Sequence, residues 1–326
     1  MVSVSDFCAK LWSLDKNRLV RGRDYDIDLE DDLLFSFVDE ANLKSIPTFK
    51  ALRRLFRKYD HVYVTAPHES AEAWTFLNHC LETPVMQETH KFLAQGGVVP
   101  VSQKGFRNRL YTLWFGPYYR PNTGRCSTAF EHTFVGEPCH DYVYGFHNWV
   151  RLYEQERDHR LTYEGWEFSV SNDHIIGIDI DWNGYMSKTG TSFFVGTSPE
   201  FELAIYTTCF LAGDEETRVR LGIPWNVTIA TYDVDGEIAA CYPKVEDVLI
   251  EEGRDFLEYL DQRNIGPELG KYKLKNIYEN DYTNTYGQYG RWPGTPFSWV
   301  LCTLEMEEKV DVWTNYHGVD IVEFLE

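Results

Sequence analysis

The sequence predicts an α+β fold, a helical N-terminal half packed on a half of antiparallel sheets with helices that carries the candidate catalytic residues. Three observations carry this reading. Apolar residues recur at helix spacing from Val2 to about Leu93. After Gly96-Gly97 the rhythm changes to short runs of β-branched and aromatic residues. Helices followed by strands, rather than alternating with them, are the order expected of an α+β chain.

Taken along the chain, Val4, Phe7, Leu11 and Leu14 lie on one face of a first helix. Asn17 to Asp32 reads as a polar connection. A second helix follows from Phe49 to Phe56, and helical spacing resumes from Ala71 to Phe92. Ala66-Pro67-His68-Glu69-Ser70 is a turn into that stretch, with Ser70 as N-cap. Strands are expected at Tyr111–Phe115, Ile175–Ile180, Ser192–Val195 and Val227–Tyr232. Between them, His147 to Glu156 holds a helix that turns Trp149, Val150 and Tyr153 to one side, and Pro199 to Leu211 holds a buried one. Thr231 to Tyr242 reads as a hairpin about Asp235-Gly236. These limits give an organisation of residues 1–248 (1–97 mostly helical, 98–248 strand-rich) and an appended segment, 249–326. The latter begins with an acidic helical stretch, Glu251 to Gln262, and passes through five tyrosines to Trp292-Pro293-Gly294-Thr295-Pro296. With 15 acidic and 7 basic side chains it reads as a tail packed on the first domain or a protein-interaction surface, not a nucleic-acid clamp.

A formal net charge of −20 argues against holding polyanions by bulk electrostatics. Any contact with nucleic acid must therefore be local. The strongest basic cluster is Lys50, Arg53, Arg54, Arg57 and Lys58, opposite Phe49, Leu52, Leu55 and Phe56, which reads first as the solvated face of an amphipathic helix. The excess of carboxylates suits hard cations such as Ca²⁺ or Mn²⁺, although Asp24, Asp26, Asp28, Glu30, Asp31 and Asp32 lack EF-hand spacing. Seven scattered cysteines without a CxxC pair point to reduced thiols in an intracellular compartment. No cationic and apolar leader follows Met1, and no apolar run is long enough for a membrane helix.

The chemistry-bearing residues are two histidines, His132 in Phe130-Glu131-His132-Thr133-Phe134-Val135-Gly136-Glu137 and His147 in Gly145-Phe146-His147-Asn148-Trp149. An imidazole titrates near pH ~6.5, so one ring can be a base while a second is an acid. Their separation of 15 residues suits two neighbouring strands, or a strand and a helix start, facing one groove. Gly145, lacking a Cβ, allows backbone N–H groups to approach a phosphate. Lys188, ahead of a glycine-containing bend and a strand, can aim its ammonium at developing negative charge. The block that follows, Gly196-Thr197-Ser198-Pro199-Glu200-Phe201-Glu202, is too unusual for ordinary surface.

These tracts, in this order and spacing, resemble the EndoU family of endoribonucleases. The resemblance extends to Leu11-Trp12-x-Leu14-Asp15-x-Asn17-Arg18-Leu19 and Phe37-Val38-Asp39-Glu40, and covers roughly residues 4 to 245. It implies cleavage of single-stranded RNA, preferentially at uridines, with 2′,3′-cyclic phosphate and 5′-hydroxyl ends; a monomer is expected, the oligomeric state not being written in the sequence. DNA, lacking the 2′-hydroxyl, would not be cut. Carried over by position, His147 is the general base, His132 the general acid and Lys188 the charge stabiliser. Ser192 would contact the uracil and Tyr242 stack on it, with Glu131 and Glu137 as orienting groups behind the histidines. Ala240 stands where relatives often carry a hydroxyl residue, which implies a looser uridine preference. The family also implies a response to Mn²⁺ or Ca²⁺, with none required for the chemical step. Two other classes compete. A cation-regulated RNA-binding protein without turnover would not need the intact His132, His147 and Lys188 set, and a metal-dependent hydrolase would need clustered ligands, for which Cys139-His140-Asp141 is the nearest approach.

Overall fold

The computed structural model describes residues 2–59, 70–120, 125–139, 142–170, 174–184, 186–221, 226–234, 236–244, 259–260, 263, 268–270, 310–314 and 320–324. Expectations for Ala66 to Glu69, for His140 and Asp141, for Asp235, for most of the acidic stretch and for residues 272–296 lie outside them.

The helical half is built from α1 (Val4–Leu14), α2 (Glu40–Ser45), α3 (Pro47–Phe56), α4 (Ala71–Leu81), α5 (Pro84–Gln95) and α6 (Gln103–Phe115). Each long helix starts at a signal legible in the residues. Ser3, Ser70, Thr83 and Ser102 cap α1, α4, α5 and α6 through their hydroxyls, and Pro47 and Pro84 occupy the first turns of α3 and α5. The connection read as purely polar contains a strand pair, β1 (Tyr25–Ile27) antiparallel to β2 (Phe35–Val38), because Tyr25, Ile27 and Phe35 bury their rings and methyls in the common core. The strand expected at Tyr111–Phe115 is instead the last turn and a half of α6. Leu110, Leu113 and Trp114 continue the helical spacing begun by Phe106 and all four are buried, which outweighs the β propensity of the local residues.

Two short strands, β3 (Tyr118–Arg120) and β4 (Arg125–Ser127), pair before a single π-helical turn at Glu131–Val135. A five-stranded sheet follows, from β5 (Glu137–Cys139), β6 (Tyr142–Tyr144), β7 (Leu161–Val170), β8 (Ile175–Trp182) and β9 (Met186–Phe194), in the order β5-β6-β9-β8-β7. Its pairs are antiparallel except β6 with β9. Helix α7 (Trp149–Arg157) enters between β6 and β7. Helix α8 (Pro199–Ala212) leads to a second sheet of β10 (Glu216–Arg220), β11 (Asn226–Val234) and β12 (Glu237–Lys244). The expected hairpin is β11 with β12, and Val234 pairs with Glu237 across its turn. The C-terminal segment contributes β13 (Glu268–Gly270), β14 (Val310–Thr314) and β15 (Asp320–Phe324) in an antiparallel sheet that the sequence did not announce.

One hydrophobic cluster runs from Phe7 to Cys241, so helices and both catalytic-half sheets share a core. Trp149 lies at its centre, in ring contact with Tyr25, Phe35 and Phe49 at 5.8–6.2 Å. Burial of these large rings fixes the start of α7, and with it the position of His147.

Candidate active site

The groove is assembled from three segments that the sequence left 15 and 41 residues apart. His132 sits on the π-helical turn rather than on a strand. The turn is opened by Thr128, whose Oγ1 accepts from the Glu131 amide at 3.1 Å, and closed by Gly136 N–H donating five residues back to Glu131 O at 2.9 Å. Such i→i+5 turns are rare and, where they occur, are frequent at functional sites. His147 immediately precedes Asn148, whose side chain caps α7 through the Arg151 amide at 3.1 Å. Of the two arrangements expected from the spacing, the helix start is correct for His147 and the strand is not correct for His132.

Backbone bonds stitch the two histidine segments together. Phe146 N–H donates to His132 O at 2.9 Å and His147 N–H to Thr133 O at 2.7 Å. To place these donors the chain takes two successive left-handed residues, Gly145 at φ 68° and Phe146 at φ 71°. The phenylalanine conformation costs ~1–3 kcal/mol, which the surrounding bonds must offset. A Cβ on residue 145 would fall 1.9 Å from His132 O, so glycine is required there by the approach of the two segments. The space on the Cβ side of Gly145 is filled by His132 backbone.

The two imidazoles face one another with centroids 6.0 Å apart and planes at 48°. Both are nearly buried, 6% exposed for His132 and 5% for His147. His147 Nδ1 lies 2.8 Å from the carbonyl of Ser192. A carbonyl only accepts, so the proton of the neutral ring resides on Nδ1 and the lone pair on Nε2. Burial, then the charges of Lys188 and His132, hold the His147 imidazolium well below the usual range, against the opposing pull of that carbonyl. His147 is therefore neutral near pH 7. His132 has the opposite company, its Nδ1 3.4 Å from Oε2 of Glu137, a carboxylate 1% exposed that also accepts a hydrogen bond from Ser127 Oγ. Glu137 thus lies behind the His132 ring, on the side of Nδ1.

Lys188 is inside β9, opposite Ile180 on β8, rather than ahead of a strand. A register shift follows it, with Gly190 at φ 62° and its amide bonded to Asp179 Oδ1 at 2.8 Å, so the glycine belongs to a bulge. Burial pushes the ammonium down to about 8, while Glu137 pulls it back up. The interactions of Lys188 with both His147 and Glu137 bring the third sequence-expected residue into the same groove.

Tyr242, on β12, stacks on His147 with centroids 4.6 Å apart and planes at 17°. Ser192 turns its hydroxyl proton to Pro243 O at 2.7 Å, which leaves its oxygen as an acceptor. Thr133 Oγ1 receives the Cys241 amide at 3.3 Å, anchoring the π-turn to the Tyr242 strand. Glu131 is 9% exposed beside His132, and Ala240 is buried two residues before Tyr242.

The Gly196–Glu202 block lies behind the groove rather than in it. Glu202 accepts from Asn148 Nδ2 at 3.0 Å and Thr197 Oγ1 at 2.8 Å, and Trp149 Nε1 donates to Thr197 O at 2.9 Å. Asp15 accepts from the Ser198 amide at 3.2 Å, and Glu200 from Asn17 Nδ2 at 2.6 Å. The block is thus a clasp that joins the N-terminal helix to the helix beneath His147. Sequence reasoning assigned it no role, and its density of side chains able to bond backbone was the available signal.

Among the described residues no group of three or more His, Cys, Asp or Glu is arranged to hold a metal ion. Also among them, no helix is long and apolar enough to cross a membrane.

The sequence model of the family described as Endoribonuclease XendoU matches residues 3–243. A uridylate-specific endoribonuclease B of Danio rerio is 35% identical over 260 residues, covering 71% of this chain and 89% of that protein. A poly(U)-specific endoribonuclease of Xenopus tropicalis is 35% identical over 236 residues, 64% of this chain and 80% of its own. The solved structure of XendoU, described as a splicing independent snoRNA processing endoribonuclease, superimposes with a TM-score of 0.66 at 34% identity, covering 74% of this chain and 96% of that one. Paired histidines with a lysine on this scaffold, and a match through residue 243, place the chain in the XendoU family of endoribonucleases.

Proposed function

We propose that this chain is a uridylate-preferring endoribonuclease that cuts single-stranded RNA by transesterification. The observation that carries the reading is the pair of facing imidazoles 6.0 Å apart, one held neutral by burial with its tautomer fixed by the Ser192 carbonyl, the other backed by Glu137.

With a phosphodiester between the rings, His147 Nε2 takes the 2′-hydroxyl proton as the 2′-oxygen bonds to phosphorus. The bond from phosphorus to the 5′-oxygen breaks, and that oxygen receives the proton of His132. The products are a 2′,3′-cyclic phosphate and a 5′-hydroxyl, and each proton-transfer role contributes typically ~10²–10⁴-fold. Lys188 neutralises charge on the non-bridging oxygens in a groove where exclusion of water strengthens the effect. The requirement for a 2′-hydroxyl leaves DNA uncut. Ser192 Oγ, its proton already directed to Pro243 O, is suited to accept from the uracil N3–H, and Tyr242 offers a ring to stack on.

From the family resemblance we include Mn²⁺ or Ca²⁺ as an activator acting outside the chemical step. The test is a short single-stranded RNA with one uridine, incubated in EDTA, Mn²⁺ or Ca²⁺, with product ends identified by mass spectrometry. A cyclic phosphate after the uridine is expected. Binding without cleavage in every condition would replace this reading with that of a cation-regulated RNA-binding protein.

A further inference from the structure

The chain carries a net charge of −20, yet one cleft concentrates positive charge. It lies between α3 and α4, has a volume of about 420 Å³, and among the described residues is lined by Arg54, Arg57 and Lys58 against one carboxylate, that of Glu72. Ala51 and Ala71 form part of its wall, and their small side chains leave the space open. Arg54 and Arg57 are exposed, and among the described residues neither has a carboxylate partner. Arg53 on the same helix shows the contrast, since it is held by Glu154 at 2.5 Å and Glu40 at 2.9 Å. Glu72 is already engaged by Lys58 at 2.9 Å and by Ser70 Oγ at 3.0 Å. The first turn of α4, starting at Ala71, adds the positive end of a helix dipole to the same cleft.

Two guanidinium groups without carboxylate partners among the described residues, an ammonium and a helix start form a receptor for a phosphodiester, which planar guanidinium forks bind with two parallel hydrogen bonds. The cleft is also connected to the catalytic groove. Phe56 and Tyr59, which flank Arg57 and Lys58, pack on Phe130 with centroids 6.3 and 5.7 Å apart, and Phe130 lies two residues before His132.

We propose that the α3–α4 cleft is a second, non-catalytic subsite that holds a phosphodiester of the RNA strand away from the cleaved bond. This inference rests on the endoribonuclease reading above. It supplies the local electrostatic hold that an acidic protein otherwise lacks, and makes longer strands better substrates than short ones.

The experiment compares wild type with the double variant Arg54→Gln and Arg57→Gln on a uridine-containing dinucleotide and on a 20-nucleotide single strand with one uridine. Removal of two phosphate contacts should lower the ratio of kcat/KM for the long strand to that for the dinucleotide about 10-fold. It should also reduce the slope of log affinity against log salt by about 1.4, at ~0.7 per contact on a single strand. Affinity is read by anisotropy with the same strand carrying 2′-deoxyuridine, which binds without being cut. An unchanged ratio and salt slope in a variant with wild-type melting would overturn the subsite while dinucleotide cleavage left the endoribonuclease reading intact. Should wild type cut neither substrate, that reading falls, and the salt slope on the deoxyuridine strand still decides the cleft. Loss of binding to phosphatidylserine vesicles, without any change toward RNA, would also overturn it.

Discussion

Two regions of this molecule bury ionisable side chains within one core, and they treat them in opposite ways. In the clasp, Asp15, Glu200 and Glu202 are 4%, 1% and 0% exposed and act as hydrogen-bonding struts, and burial raises Asp15 to about 7 and Glu202 to about 8, so these two hold protons readily. In the groove, burial acts on bases and pushes His147 and Lys188 down, which leaves a lone pair on one and a proton within reach of neutral pH on the other. Desolvation always opposes the charged form. Its structural use depends on which residue type the chain places there, and in this fold carboxylates give support while nitrogen bases give chemistry.

The sharpest break between the regions is expected from His132→Ala, His147→Ala or Lys188→Ala. Each should lower kcat by ~10²–10⁴-fold with melting within a few degrees of wild type. Single-turnover cleavage and calorimetry on the same preparations check this, and retained turnover in any variant removes that residue from its role.

Gly145→Ala tests the stitching of the two histidine segments within the groove and should injure stability and catalysis together. A Cβ would collide with His132 O in a backbone that also costs a non-glycine residue ~1–2 kcal/mol. Melting should fall by several degrees, and displacement of the imidazoles by even 1 Å should cost kcat ~10²-fold. Wild-type kcat in this variant would show that the approach of the two segments does not set the geometry.

The smallest effect is in the pH dependence of stability, where the two regions have opposite signs. Asp15 and Glu202 bind protons more tightly folded than unfolded, so their contribution is fully present below the ordinary carboxylate range near ~4 and drains as pH rises toward 7 and 8. His147 binds its proton less tightly when folded, so its contribution is present above ~6.5 and is lost as pH falls. Asp15→Asn with Glu202→Gln should flatten the decline of melting temperature between about pH 5 and 8. An unaltered slope in scanning calorimetry would show that these carboxyls do not carry it.

Much of this architecture was legible where one local signal dominates. The hydroxyl caps of α1, α4, α5 and α6 and the apolar spacing of α1 and α3 are written in adjacent residues. Strand β7 was not, because register shifts near Gly165 and Glu167 interrupt the alternation by which a strand is recognised. The last turns of α6 were misread because Tyr111 and Thr112 favour strands locally, while the packing of Leu113 and Trp114 decides the matter from a distance. His132, His147 and Lys188 were legible as residue types and by family resemblance. The π-turn was not, since it is anchored by Cys241 more than 100 residues away. Nor was the split of the unusual tracts into chemistry and clasp, which depends on which side chains meet Asn148 and Asp15.

The stitching of His132 to His147 has a consequence for retargeting the enzyme. Their spacing is set by main-chain amides and carbonyls at residues 132, 133, 146 and 147, together with the Ser192 carbonyl. Every residue except proline offers those same groups. The proposed nucleobase contacts, by contrast, come from side chains at 192 and 242 and from the small surface at Ala240. Libraries that randomise the pocket should therefore change which base is chosen while leaving the proton-transfer distance in place, so that selection for a new cutting preference begins from a working catalyst.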